Sequence, residues 1–237
     1  MKQIPNLLTL ANAVCGMMAI YFIQNASNTG LAIALIAAAV FDALDGWAAR
    51  KVGSSSELGK QLDSLADAIS FGATAGFLWS SILADFAGFP QPWSMIIGAL
   101  VTASSVMRLA KFNISTTQST DFIGMPTPAN ALFALGLWSW LGNWDHWQWT
   151  LSLEGSLRLV FEYGLLALAL YSVYWQNARF RVISLKDDGN AKRKWGLYAL
   201  GAIFLAFVSF FGALSISIVV FLLPIISGIV LIESNSK

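Results

Sequence analysis

The stretch FDALDGWAARKVGSSSELGKQLDSLAD, residues 41–67, decides how the rest of this chain is read. It places Asp42, Asp45, Asp63 and Asp67 near the facing ends of two apolar segments, each long enough for a membrane helix. A charged residue inside a span costs about 2.5–3.5 kcal/mol on insertion scales, so its presence points to function. Four carboxylates without matching cations repel one another unless a cation or solvent neutralises them, and ion binding is the simplest solution. Helix geometry sharpens this. Asp42, Asp45, Gly46 and Ala49 are spaced i, i+3, i+4, i+7 on one stripe, and Gly59, Asp63 and Asp67 are spaced i, i+4, i+8 on another. Because the first helix ends where the second begins, the two acidic stripes lie at similar depth and can face each other. An oxygen-only donor set without nearby histidine or cysteine suits Mg²⁺ or Mn²⁺ rather than zinc. Gly46, Ala49 and Gly59 clear bulk from the same faces, which lets phosphate approach. Arg50, one turn after Gly46, offers a fork for phosphate oxygens. Together these ingredients read as metal-assisted phosphoryl transfer, in which two cations can stabilise the attacking and leaving oxygens.

The composition around this stretch sets its solvent. The 237 residues are 57% hydrophobic and 11% charged, with a mean hydropathy of +0.65, whereas a soluble domain is about a quarter charged. Lipid is therefore the expected solvent. A net charge of +1 gives no reason to expect a nucleic-acid partner. The single cysteine, Cys15, excludes an internal disulfide and any cysteine-based metal cluster, and reads as packing. The first apolar run continues to about Gln24 without a small-x-small cleavage site, so it reads as a retained span.

Taking about 20 apolar residues per span, the spans fall near 4–24, 29–51, 61–84, 92–112, 126–143, 156–177, 194–212 and 215–233. The fifth is short and carries Pro126 and Pro128, and the last two come from one apolar run turned near Gly212–Ser215. The expected fold is thus all-α, a polytopic membrane bundle of about eight transmembrane helices in a single domain, 1–237. This parse puts Lys2, Arg50, Lys51, Lys60, Arg108, Lys111, Arg179, Arg181, Lys186, Lys192, Arg193, Lys194 and Lys237 on one side and only Arg158 on the other. The positive-inside rule makes both termini and the acidic stripes cytoplasmic. Trp144, Asp145, Trp147, Trp149 and Glu154 mark the opposite interface. The lone histidine, His146, lies there too, far from the aspartates.

Asp42-x-x-Asp45-Gly46-x-x-Ala49-Arg50, eight residues, Gly59-x-x-x-Asp63-x-x-x-Asp67 resembles the signature of the CDP-alcohol phosphotransferases at every one of its positions. The resemblance implies a six-helix catalytic core, 1–180 here, holding a dinuclear metal site, with 194–233 as additional helices. It implies Asp42, Asp45 and Asp63 as metal ligands, and Asp67 as ligand and general base toward an attacking alcohol. The diphosphate of a CDP-linked donor bridges the metals in that reading.

IPNLLTLANAVCGMMAI (4–20), RLAKFNI (108–114) and FIGMPTPANA (122–131) are similar to the phosphatidylserine synthase branch of that family, with Lys111 where arginine is frequent and Met125 where leucine is. Phosphatidyl transfer from CDP-diacylglycerol to L-serine, releasing CMP, is the expected activity, in a bed of membrane lipids and compatible with a homodimer. Glycerol 3-phosphate, an inositol phosphate or choline are alternative acceptors. An ion transporter is the reading from another class; it is disfavoured because the acids sit at one face and no second set appears in an inverted half. The residues have their own physical reading. Asn6, Thr9 and Asn12, at i, i+3, i+6, can hydrogen-bond the cytidine or its phosphates, or serve as a cap and interhelical bonds. Arg108, Lys111 and Asn113 end the fourth span and are the candidates for the acceptor, Arg108 for its carboxylate or a phosphate; for Lys111, membrane anchoring is the competing reading. Gly124–Pro128 is a rigid turn before a helix, whose backbone amides can meet an anion.

Overall fold

Helix α1, Ile4–Gln24, opens with Pro5 in its first turn, where a missing N–H costs nothing. A three-residue turn follows, with Ala26 at φ 50°, and the Ser27 hydroxyl accepts the Gly30 N–H at 3.3 Å to cap α2, Asn28–Val52. Gly53, at φ 62°, stops α2 in the left-handed conformation, with Arg50 and Lys51 in the last turn. Ser56 then caps α3 by accepting the Gly59 N–H at 3.0 Å. The computed structural model that carries these elements describes residues 3–53, 56–114, 122–143, 148, 152–178, 181–182 and 214–235.

α3 runs without a break over Glu57–Phe86, but two stretches of it, Ala68–Ala73 and Ile82–Phe86, are π-helical. After it come α4, Gln91–Ile114; α5, Thr127–Leu141; α6, Gly155–Asn177; and α7, Leu214–Asn235. Phe122–Ile123 and Arg181–Val182 add a short antiparallel pairing. The described fold is therefore all-helical apart from that pairing. α1, α2, α3, α4 and α6 are long and apolar enough to cross a membrane, which makes this an integral membrane protein.

One expectation changes. α5 has 15 residues rather than the 18 of 126–143, about 22 Å of helix against a hydrocarbon core of about 30 Å. Pro126 sets its start, being unable to continue a helix upstream. The expected span 194–212, the basic residues Lys186–Lys194 and the tryptophans 144, 147 and 149 lie outside the described residues.

α3 is the central element. Its most apolar stretch is 61% buried, against 17–33% for the other four spans. Leu78, Trp79, Ile82 and Leu83 fill the core from α3, and Phe133 of α5 tilts against Trp79 at 5.7 Å between ring centroids. Leu7, Val14 and Met17 of α1 and Ile33 and Ile36 of α2 remain exposed, as a lipid-facing surface requires. α3 meets α4 closely because both carry glycine at the crossing: a Cβ on Gly76 would lie 2.5 Å from the Gly98 carbonyl oxygen, and one on Gly98 2.3 Å from that of Gly76.

Candidate active site

The chain lengths place the aspartates in two layers. Asp45 and Asp63 stand seven residues before Val52 and six after Glu57, about 10 Å along their helices. Asp42 and Asp67 stand ten residues from the same ends, about 15 Å in. Asp42, Asp63 and Asp67 each offer a carboxylate oxygen, all within 4.8 Å of one another. Among the described residues no Lys or Arg forms an ion pair with any of the four; Arg158–Glu162, at 2.7 Å on α6, is the ion pair present. Three half-buried acids this close, offering oxygen donors only, fit a hard divalent cation and are otherwise mutually repulsive.

Asp45 stands outside that trio. It is buried, and its Oδ2 accepts the Thr9 hydroxyl of α1 at 2.5 Å. Asn12, one turn further along α1, donates from Nδ2 to Asp67 Oδ1 at 3.3 Å. Thr9 and Asn12 thus bind protein carboxylates, the interhelical reading of their spacing. They steer one acid from each helix, while Thr9 lines the cleft and Asn12 Oδ1 has no hydrogen-bond partner among the described residues.

A cleft of about 550 Å³ opens between α1, α2 and the start of α3, with Asn6, Thr9, Asp42, Asp45, Gly46, Ala49, Arg50, Gly59 and Asp63 among its walls. Its floor is acidic and its rim carries Arg50 and Lys60. The glycines keep it open. A Cβ on Gly59 would meet Ser56 Oγ at 3.2 Å and Asn6 Oδ1 at 3.4 Å, and one on Gly46 would touch Arg50 Nη1 at 3.4 Å. The guanidinium of Arg50 therefore lies over Gly46, above the acids. An apolar groove of about 390 Å³ between α4 and α6, lined by Leu100, Met107, Val173 and Tyr174, has none of this chemistry.

The three residues at the end of α4 separate. Arg108 is buried, its Nε has no hydrogen-bond partner among the described residues, and it lies near enough to Asp67 for their charges to interact. Lys111 Nζ donates to Asn177 Oδ1 at 3.0 Å on the α6 side. Asn113 bonds Ser64 of α3 in both directions, at 2.8 and 3.1 Å, and its carbonyl accepts Lys60 Nζ at 3.0 Å. The turn Gly124–Pro128 is held by the Met125 N–H, which donates to the Trp175 carbonyl at 3.1 Å.

Sequence reasoning missed the buried polar residues behind Asp67: Ser70, Ser105, Asn130, Ser172 and Gln176 are all 0% exposed. Neutral polar residues in apolar helices were the available signal, but composition does not say which of them face the interior.

A model of the CDP-alcohol phosphatidyltransferase family matches residues 2–175. The chain is 35% identical over 131 residues to the archaetidylserine synthase of Methanothermobacter thermautotrophicus, covering 54% of each chain. It is 34% identical over 129 residues to the CDP-diacylglycerol–serine O-phosphatidyltransferase of Bacillus subtilis, covering 54% of this chain and 71% of that one. It is 32% identical over 209 residues to the protein of the same name from Helicobacter pylori, covering 86% of this chain and 80% of that one. The match thus spans about half the length of the archaeal relative and most of the Helicobacter one. The family match takes in α1 to α5 and nearly all of α6, and with them the cleft and all four aspartates, so the chain belongs to the CDP-alcohol phosphatidyltransferase family.

Proposed function

We propose that this protein transfers the phosphatidyl group of CDP-diacylglycerol to L-serine, giving phosphatidylserine and CMP, at the cytoplasmic face of the membrane. The observation that carries the reading is the trio Asp42, Asp63 and Asp67, with oxygens within 4.8 Å, beside a cleft rimmed by Arg50 and Lys60. Relatives named as serine-acceptor synthases support the choice of acceptor. The cleft takes the donor's cytidine diphosphate: Arg50 receives phosphate oxygens, Gly46, Ala49 and Gly59 let them approach, and Asn6 and Thr9 line the α1 wall. Asp42, Asp45, Asp63 and Asp67 would hold two divalent ions, Mg²⁺ or Mn²⁺, which would supply charge neutralisation for the diphosphate and the leaving group. Thr9 and Asn12 contribute by fixing the Asp45 and Asp67 carboxylates.

In the chemical step the serine hydroxyl oxygen bonds to the lipid-side phosphorus. The bond from that phosphorus to the bridging oxygen breaks, and CMP departs with the electron pair. Asp67 takes the hydroxyl proton. Arg108, buried near Asp67 and without a partner at Nε among the described residues, receives the serine carboxylate. Lys111 and Asn113 belong to the same acceptor side, where they hold the end of α4 against Asn177 and Ser64. The catalytic core takes in residues 1–180, with further helices in 194–233 completing eight spans of one domain and both termini cytoplasmic.

The test is a product assay on purified protein with labelled CDP-diacylglycerol and Mg²⁺ or Mn²⁺. Serine, glycerol 3-phosphate, an inositol phosphate and choline serve as acceptors. CMP and phosphatidylserine with serine alone are expected. CMP with another alcohol moves the acceptor; no CMP with any of them removes the reaction class. Orientation has its own test: Ser55→Cys in a Cys15→Ser background stays unlabelled by an impermeant thiol reagent on intact cells, and labelling from outside inverts the topology.

A further inference from the structure

Ser105, Gln176, Ser172 and Asn130 form a hydrogen-bonded run through the interior of the bundle, all four 0% exposed. The Ser105 hydroxyl donates to Gln176 Oε1 at 2.6 Å, Gln176 Nε2 donates to the Ser172 carbonyl at 3.4 Å, and the Ser172 hydroxyl donates to Asn130 Oδ1. The run crosses from α4 to α6 to α5, none of which carries an aspartate of the site. It nevertheless reaches the site at one end. A Cβ on Gly72 would lie 3.1 Å from the Cβ of Ser105, and Gly72 belongs to the π turn Ala68–Ala73 that begins at the residue after Asp67. Arg108 is one turn from Ser105 on the same side of α4.

The α3–α4 contact needs such a tie. Gly72, Gly76 and Gly98 make it smooth, and lipid supplies no hydrophobic force to hold two helices in one register. Thr102 does not lock it, because its hydroxyl stands 3.3 Å from both the Gly72 carbonyl of α3 and the Gly98 carbonyl of its own helix. The short bond from Ser105 to Gln176 is directional and comes from a third helix. The backbone of the same α6 segment also carries the turn before α5: a Cβ on Gly124, at φ 71°, would lie 2.4 Å from the Gln176 carbonyl oxygen.

We propose that Gln176 is a positioning residue: through Ser105 it sets the rotation of α4 against the π turn, and so the separation of Arg108 and Asp67. This rests on the reading that those two residues serve the acceptor alcohol. Gln176→Met keeps the length and bulk of the side chain and removes both hydrogen bonds. A displacement of about 1 Å at a reacting centre costs on the order of 10² in rate. The expected result is a 10- to 100-fold fall in kcat/KM for serine, with the KM for CDP-diacylglycerol within about twofold of wild type. Ser105→Ala should reproduce it, and the double variant should be no worse than Gln176→Met alone, because the Ser105–Gln176 bond is already absent there.

Ser104→Ala is the control. It deletes two other α4–α6 hydrogen bonds, from Ser104 Oγ to the Val173 carbonyl at 2.8 Å and from Asn177 Nδ2 to Ser104 Oγ at 2.9 Å, at a position about 100° around the helix from Ser105. Its kcat/KM should stay within about twofold of wild type, although its melting temperature falls like that of Ser105→Ala. Three outcomes overturn the proposal: wild-type kcat/KM in Gln176→Met or Ser105→Ala, a donor KM that rises in step with the acceptor's, or equal damage from Ser104→Ala. If Gln176→Met does not fold, Ser105→Ala decides alone. A wild-type enzyme that ignores serine removes the acceptor reading instead, and the same ratios are then measured with the alcohol it does use.

Discussion

The facing ends of α2 and α3 and the end of α4 are equally polar, yet they solve the problem of polarity in opposite ways. At the end of α4, Lys111 and Asn113 are paired with Asn177 and Ser64, and those bonds fasten helices together. On α2 and α3, three carboxylates crowd within 4.8 Å and no cationic side chain among the described residues pairs with them. Arg108 is the exception on α4: buried, near Asp67, and lacking a partner for Nε among the described residues. The difference teaches where to look for ligands. Hydrogen bonds between helices hold the fold together, whereas carboxylates crowded without a cationic partner call for something that arrives.

The comparison is broken most violently by removing the acids. Asp42→Ala and Asp63→Ala should abolish CMP release, and chelation should do the same to the wild type, reversed by adding Mn²⁺ or Mg²⁺. Asp67→Asn, which keeps the shape and deletes the base, should lower kcat by about 10²–10⁴; near-normal turnover would take the proton acceptor elsewhere. In metal-free protein the same substitutions should raise the melting temperature, since each relieves repulsion inside the trio. A lower melting temperature would mean the acids are paired in a way the geometry does not contain.

Arg108→Lys is the intermediate case. It keeps the charge and loses the fork, so serine kcat/KM should fall about tenfold while CDP-diacylglycerol KM changes little. A loss confined to the donor would move Arg108 into the cleft. The smallest effects belong to the residues with partners. Lys111→Met and Asn113→Ala should change kcat/KM for serine by less than about threefold, since a single hydrogen bond, exposed at Lys111 and part-buried at Asn113, contributes modestly. A tenfold loss at either would extend the acceptor site along α4 and dissolve the contrast.

The limits of what residue order can tell follow the same division. Spacing alone set the aspartates into two facing stripes, because 3.6 residues per turn and a short α2–α3 connection leave little freedom. The bounds of α1 and α2 were legible for a similar reason: Pro5 opens one and Gly53 closes the other. The π turn after Asp67 was not legible, since nothing in Ala68–Ala73 but Gly72 departs from ordinary helix. Nor could spacing tell that Thr9 and Asn12 turn to Asp45 and Asp67, or that Gln176 reaches Ser105. Those contacts depend on how whole helices rotate against each other, which is settled by packing at Gly16, Gly76 and Gly98 far along the chain.

The shortness of α5 has a consequence for the shape of the water boundary. At 15 residues, it falls about 8 Å short of the hydrocarbon thickness, yet lipid hardly sees the deficit. Asn130, Ala131, Phe133, Ala134, Leu135, Leu137, Trp138 and Leu141 are all buried against other helices. If its far end sits at the interface, the turn Gly124–Pro128 that begins it lies below the opposite surface, held by the backbone bond from Met125 to Trp175. The aqueous phase then dips into the protein where the acids stand about 10–15 Å along their helices. A water-soluble alcohol can descend to that level while a lipid-borne diphosphate meets it with its acyl chains still in the bilayer. In the proposed reaction, the two substrates meet at one depth because the shoreline is lowered, without the lipid being lifted out.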